Sequence, residues 1–328
     1  MSAVNNAGGS TAGAMKKTPI IIALVLSIVL VLGVLVAARA LLGPAGQRQV
    51  SMSALPAPEA ESAACSALVE ALPDKAFGHT RAVIAEPQPA GVAAWSSSDI
   101  EQVTVRCGVD MPFQFTELAD TVEAGGTTWL PVADMTPGST LQTWYSVDRF
   151  PVVAVTADNL STDNAENPVD PFSDAVAQLE QRAATPYPAP LRDLPAGIQS
   201  DSCQALTDAL PQTLEVGGED GATYTLIDET RMAEVGYGAD AIAWEAPGLE
   251  AIVIRCGVAP SANYAAGAML QQINTIPWFE DTILASGTTA STWYALGRET
   301  DIAVSLPQAA ANLLITISGI IEETVPAS

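Results

Sequence analysis

The chain is poor in histidine, in basic residues and in aromatic residues. Its 328 residues contain one His, 13 Lys plus Arg, and only 5% Phe, Trp and Tyr. Each shortage excludes something. A catalytic triad needs a base that titrates near neutrality. The one histidine, His79, lies at the turn Gly78-His79-Thr80, has no counterpart elsewhere and reads as an exposed loop residue. Four cysteines without a C-x-x-C pair, and a single His, do not make a structural zinc site. No G-x-S-x-G, H-E-x-x-H, phosphate-binding loop or dinucleotide fingerprint occurs, so no catalytic residue and no cofactor is expected. Gly217-Gly218 lies among acids but lacks the spacing of an EF-hand, and the acidic stretch 158–170 reads as a solvated loop, so no metal is expected either. Against 37 Asp plus Glu the net charge is -24. Such a surface repels phosphate backbones, which excludes nucleic acid as a partner.

The first 42 residues contain Lys16, Lys17 and Arg39 and no acid. Thr18 to Ala38 is a charge-free run rich in Ile, Leu and Val, long enough as a helix to span roughly 30 Å of hydrocarbon. It is longer than a secretory h-region of about 7–15 residues. The expectation is an uncleaved signal anchor through Thr18 to Leu42, although Ala38-Arg39-Ala40 offers a cleavage motif. Basic residues flank both ends evenly, so the positive-inside rule does not orient it.

The chain then says the same thing twice. Moved forward 149 positions, Trp95 lands on Trp244, Arg106-Cys107-Gly108-Val109 on Arg255-Cys256-Gly257-Val258, and Trp129 on Trp278. Thr143-Trp144-Tyr145 lands on Thr292-Trp293-Tyr294, and Arg149 on Arg298. The four cysteines divide two per copy. Of their three possible pairings, the duplication favours Cys65–Cys107 and Cys203–Cys256. Disulfides belong to an oxidising compartment. They therefore orient the anchor: residues 1–17 form a cytoplasmic tail, and the domains lie outside the plasma membrane.

Ser62–Leu72 and Ser200–Leu210 read as short helices, each with a Cys in its first turn and ended by Pro73 or Pro211. Residues 100–107 alternate with period two, placing Val103, Val105 and Cys107 on one face and Gln102, Thr104 and Arg106 on the other. Residues 251–256 repeat the pattern, and Gly108 and Gly257 turn the chain afterwards. Three strand-like runs follow per copy: 127–132, 139–147 and 152–156, then 275–279, 289–296 and 302–306. Helices are expected over 171–182 and 307–323. The second copy carries a Gly- and Tyr-rich insertion within 216–238, read as a longer hairpin. The fold class is α+β: one transmembrane helix, then two repeated domains, each an antiparallel sheet of four to five strands covered by helices and stapled by one disulfide. The expected divisions are 1–17 tail, 18–42 anchor, 43–58 stalk, 59–184 first repeat, 185–196 stiff Pro-rich linker and 197–328 second repeat.

The order Ala-Trp, then a strand ending Arg-Cys-Gly-Val, then a Trp, then Thr-Trp-Tyr and Arg before a hydrophobic strand, resembles domain of unknown function 3515. This is an actinobacterial family of exported, membrane-anchored proteins. The matching residues are Ala94-Trp95, 105–109, Trp129, 143–145, Arg149 and 152–155, and in the second copy Ala243-Trp244, 254–258, 273–278, 292–294, Gly297-Arg298 and 302–304. The resemblance covers most of residues 55–323. Two departures stand out: the copy is doubled, and a further Cys common in the family is missing. The family carries no established activity, so the resemblance implies location and architecture only.

Candidate binding residues are the duplicated polar and aromatic ones. Arg106, Arg149, Arg255 and Arg298 are suited to an anion or to internal salt bridges, with Glu101 or Glu250 as partners. Trp144, Tyr145, Trp293 and Tyr294 are suited to a groove for a sugar or peptide, because adjacent strand residues cannot share one face. The functional expectation is a non-enzymatic binding or scaffolding module of the cell envelope, with another envelope protein or a glycan as partner. The alternative is an envelope hydrolase or small-ligand carrier using acidic residues.

Overall fold

The structure is a computed structural model that describes residues 17–41, 49–98, 100–217, 221–282 and 289–328. The expected tail, the end of the anchor and most of the first half of the stalk, residues 1–16 and 42–48, lie outside the described residues, as does the tip of the insertion hairpin, 218–220. The chain divides into two compact units, Met1–Gln47 and Arg48–Ser328.

The first unit is helix α1 (Lys17–Leu41). Side chains are described only at Ile22 and 24–37, and all of these are exposed on every side of the helix, from Ile28 at 50% to Leu30 at 68%. Among the described residues no helix is long and apolar enough to cross a membrane.

The second unit contains both repeats, and they share one plan. In the first, α2 (Ala63–Ala71) begins at Ser62, whose hydroxyl accepts from the Cys65 amide as an N-cap. Strands β1 (Lys75–Ala76), β2 (His79–Arg81), β3 (Val92–Ser96), β4 (Gln102–Cys107), β5 (Val122–Ala124), β6 (Thr127–Ala133) and β7 (Gln142–Ser146) follow. Next come β8 (Arg149–Phe150), β9 (Val153–Ala157), helix α3 (Ser173–Val176) and β10 (Glu180–Gln181). In the second repeat, α4 (Ser202–Ala209), β11 (Thr213–Val216), β12 (Ala222–Leu226), α5 (Glu229–Val235), β13 (Ala241–Glu245) and β14 (Ile252–Val258) come first. β15 (Gln271–Ile273), β16 (Ile276–Asp281), β17 (Ala290–Ala295), β18 (Asp301–Pro307) and α6 (Leu313–Thr324) complete it.

Each repeat forms an eight-stranded antiparallel sheet, in the orders β1-β2-β3-β4-β9-β7-β6-β5 and β11-β12-β13-β14-β18-β17-β16-β15. Eight strands replace the expected four to five; several of the added outer strands, β1, β2, β5 and β15, are runs of two or three residues, too short to show a period. The expected helix over 171–182 is a short 3-10 turn and α3 before the chain extends into β10. The insertion holds the expected hairpin, β11–β12, and also α5.

Both sheets bury one face under their helices. In the first repeat Cys65, Leu68 and Leu72 of the α2 region meet Trp95, Val103, Val105, Cys107, Trp129, Trp144 and Phe172. In the second, Leu206, Trp244, Ile254, Trp278, Trp293, Leu314, Ile317 and Ile321 do the same. Each fully buried large side chain contributes roughly 1.5–3 kcal/mol. The disulfides join Cys65 to Cys107 and Cys203 to Cys256, each with Cα atoms 5.5 Å apart, so helix and central strand are stapled on that face. Gly108, at φ +81°, is needed where β4 ends: a Cβ there would lie 2.4 Å from the Ala60 nitrogen.

Candidate functional site

The faces of the two sheets that carry no helix from the common plan hold most of the duplicated polar residues. Cross-strand register places Val92, Arg106, Ala154, Tyr145 and Leu130 in one row across the first sheet. Ala241, Arg255, Ala303, Tyr294 and Phe279 form the same row in the second. A neighbouring row contains Thr104, Thr156 and Thr143 in one repeat, and Val253, Ser305 and Thr292 in the other. The Trp-Tyr pairs split as alternation requires: Trp144 and Trp293 enter the helix-side cores, while Tyr145 and Tyr294 lie on this second face.

On the second repeat this face is roofed. The Pro-rich segment 185–196, expected as a linker, packs onto it with Ala189 and Leu191 buried beside Phe279, Tyr294 and Ala303. Arg255 fastens the roof. Its Nη1 donates to the carbonyls of Leu191 (3.0 Å), Arg192 (2.8 Å) and Leu194 (2.8 Å), and its Nε pairs with Asp240 at 2.9 Å. The Tyr237 hydroxyl donates to the Pro190 carbonyl, and Arg192 pairs with Glu117. Leu118, from the first repeat, is buried in the same cluster. Burial pushes the Tyr294 phenol up to about 12, with Asp281 and Asp301 adding to the effect.

The roof does not lie flat. Between it and the sheet is a cavity of about 450 Å³, lined by Tyr187, Leu191, Leu249, Glu250, Thr292 and Ser305 among others. Phe113 of the first repeat also borders it and stacks against Tyr187, ring centroids 4.9 Å apart. Glu250 is the charged group of interest. Burial raises its carboxyl above the ordinary carboxylate range, while Thr289 hydrogen bonds pull the other way. Asp193, also on the lining, is held low by a hydrogen bond from Arg192. Pockets of this size at the junction of two domains are where small ligands commonly bind.

On the first repeat the equivalent face has no such strap. Arg106 is half-buried and, among the described residues, its guanidinium makes no hydrogen bond or ion pair; Tyr145 lies close enough to interact electrostatically. Burial lowers the Arg106 pKa, and burial raises that of Tyr145 while Arg106 opposes the rise. Thr143 and Thr156 bond each other at 2.9 Å.

The other two candidate arginines fasten local structure. Arg149 donates to Gly126 O at 2.7 Å and pairs with Asp148 at 2.8 Å. Arg298 donates to Val325 O and Thr275 Oγ1, binding the end of α6 to the β15–β16 hairpin, with Glu322 at 4.0 Å. The partners differ from those expected: Asp148, Asp240 and Glu322 serve, because Glu101 is held by Ser97 and Ser98, and Glu250 by Thr289. His79 corrects another expectation. It is 7% exposed on β2, with Nδ1 2.8 Å from Ser97 Oγ and Nε2 donating to Ser161 O at 2.8 Å. The turn sequence around it hides that β2 pairs with β3. The cavity residues Glu250, Thr292, Ser305 and Tyr187 were not singled out as a site by sequence reasoning; the one available signal was that Glu250 repeats Glu101.

The family model described as Protein of unknown function (DUF3515) matches residues 24–185 and again 177–328. No curated protein and no solved structure matches the chain.

Proposed function

We propose that this chain, which belongs to the DUF3515 family and carries its domain twice, is a membrane-anchored, extracytoplasmic binding module of the cell envelope that does not itself catalyse a reaction. The observation that carries the reading is the cavity of about 450 Å³ under the roof of the second repeat. Its mixture of apolar walls, the hydroxyl residues Thr116, Tyr187, Thr292 and Ser305, and the carboxyls of Glu250 and Asp193 suits a small neutral or cationic molecule, and the net charge of -24 disfavours an anion.

Anchoring is supported by α1. Apolar side chains surround it on all sides, an arrangement stable in lipid or a buried core. Its Ser27 hydroxyl is satisfied within the helix, donating to Leu24 O at 2.8 Å. The two disulfides support an oxidising compartment for the rest.

The test is native mass spectrometry of the full chain, extracted in mild detergent from membranes washed at alkaline pH. The expected result is retention in the washed membrane and a bound small molecule of fixed mass, lost when Ala251→Phe, at a lining position, narrows the cavity. Release by the wash, or an adduct indifferent to Ala251→Phe, contradicts the reading. A hydrolase or carrier that uses acidic residues is the second reading. It is favoured by Glu250 and Asp193 lining one cavity with their pKa values pushed apart. Turnover of peptidoglycan, ester or peptide substrates that is abolished by Glu250→Gln would establish it.

A further inference from the structure

The cavity beneath the roof is lined by two carboxyls, Asp193 and Glu250, and by no basic residue. Asp193 is already paired, with Arg192 Nε at 2.9 Å. Glu250 has no such partner among the described residues: it is held by the Thr289 hydroxyl, which donates to its Oε2, and by no cation. A second cavity, of about 410 Å³, shares Gln114, Leu249 and Glu250 with the first, and its lining also holds no basic residue. The other carboxyl there, Asp134, is held low by hydrogen bonds from the Thr136 hydroxyl and amide. Glu250 thus stands where two cavities meet, and every charged residue lining either one is acidic. On the first cavity Phe113 and Tyr187 stack with ring centroids 4.9 Å apart, and both residues stay partly exposed, at 43% and 37%.

We infer that this cavity receives a small organic ammonium ion, with Glu250 as its counter-ion and Phe113 and Tyr187 as its aromatic wall; the inference rests on the binding role proposed above. An ammonium ion is attracted both to a carboxylate and to the negative face of an aromatic ring, and the attraction to the ring grows as water is removed. Sheltering Glu250 from water without a cation disfavours its ionised form, and a bound ammonium group restores that form. The apolar remainder of the lining, Leu191, Leu249 and Ala251 among it, suits the carbon body of such a molecule.

Other ligand classes fit less well. An anion would meet carboxyls and no donor of positive charge on the lining. A hard metal ion takes six or more oxygens, several of them from carboxylates. Among the described residues no group of three or more His, Cys, Asp or Glu is placed to hold one. A neutral molecule would leave the Glu250 carboxyl without its charge partner, so it would gain nothing from that group's ionisation.

The experiment is isothermal titration calorimetry of the full chain in detergent at neutral pH, with three probes: butylammonium, tetramethylammonium and neutral butanol. The expected result is that both ammonium ions bind roughly tenfold or more tightly than butanol, the effect of a charge-assisted contact. Glu250→Gln, which keeps the shape of the side chain, should remove that preference. Phe113→Leu should weaken tetramethylammonium roughly two- to fivefold, the effect of losing a partly exposed ring. Ala251→Phe should block all three probes. Circular dichroism and melting curves no lower than those of the parent chain exclude misfolding of the Glu250→Gln and Phe113→Leu variants. Ammonium binding that is indifferent to Glu250→Gln or to Ala251→Phe overturns the inference, and so does the absence of ammonium binding in the millimolar range. Butanol binding as tightly as the ammonium ions, and blocked by Ala251→Phe, overturns it too but leaves the binding role standing. That role fails separately, if native mass spectrometry finds no adduct that Ala251→Phe removes.

Discussion

The two repeats have the same sheet order, the same disulfide and the same Arg-Tyr row, yet they use one face in opposite ways. The second repeat has closed it with the segment that joins the halves. The first covers it only toward its ends, where Val50 and Met52 pack on Val92 and Phe115 packs on Leu130. What differs is not the strand residues but what reaches them: Arg255 meets three carbonyls and a carboxylate, and Arg106 meets none. The carboxyls on the same strand-edge position diverge too. Glu101 is lowered by hydrogen bonds from the Ser97 and Ser98 hydroxyls, whereas Glu250 is raised by burial. A duplicated residue thus marks a shared scaffold position, and its chemistry is set by the unduplicated segment above it.

The largest effects should fall where the repeats agree. Replacing either cysteine pair by alanine should cost about 4 kcal/mol in the chain-entropy account, and the two loops, of 42 and 53 residues, should differ by only about 0.2 kcal/mol. Denaturant unfolding of the two double variants checks this. A large inequality between them would break the equivalence of the two staples.

The next effect should separate the repeats. Arg255→Ala removes a partly buried ion pair and the roof's fastening, and should cost roughly 2–4 kcal/mol. Arg106→Ala removes no hydrogen bond and should stay within about 1 kcal/mol. Thermal melts of the two variants, measured side by side, read the contrast directly.

The smallest effects concern pH. Because Glu250 is raised in the folded protein, the stability linked to its proton is complete below the ordinary value of 4.5 and is lost as pH rises through the folded value. Glu250→Gln should therefore melt above the parent chain near pH 8 and level with it near pH 4. Glu101 is lowered, so its contribution is present at neutral pH and lost on acidification. Glu101→Gln should melt below the parent at neutral pH, and the gap should close in acid. Melting curves across pH 4–8 test both signs.

Much of the shared scaffold was legible in the sequence. The period-two run ending at Cys107 gave the buried face of β4, and its fixed offset to Cys256 gave the disulfide pairing. Adjacent Trp144 and Tyr145 had to part, and they do, onto opposite faces. The roof was not legible. A segment with Pro186, Pro188 and Pro190 has the same composition whether it spans solvent or lies pinned on a sheet, and its fastening comes from Arg255, more than 60 positions away in the chain. The site at Glu250 was hidden for the same reason, since a carboxyl is raised by what covers it and the cover is distant in sequence. Edge strands β1, β2 and β5 are too short to carry a period, and His79 accordingly looked like a loop residue.

The central claim is that residues 185–196 are a roof fastened by Arg255 and not a free linker. Native-state hydrogen exchange of that segment tests it most directly. The Tyr187 amide donates to Phe115 O at 2.8 Å, and the Ala189 amide to Glu117 at 2.9 Å. Both amides should be protected in the parent chain and in Arg106→Ala, and should exchange much faster in Arg255→Ala. Exchange at the rate of an unstructured peptide in the parent chain, or protection unchanged by Arg255→Ala, would contradict the account.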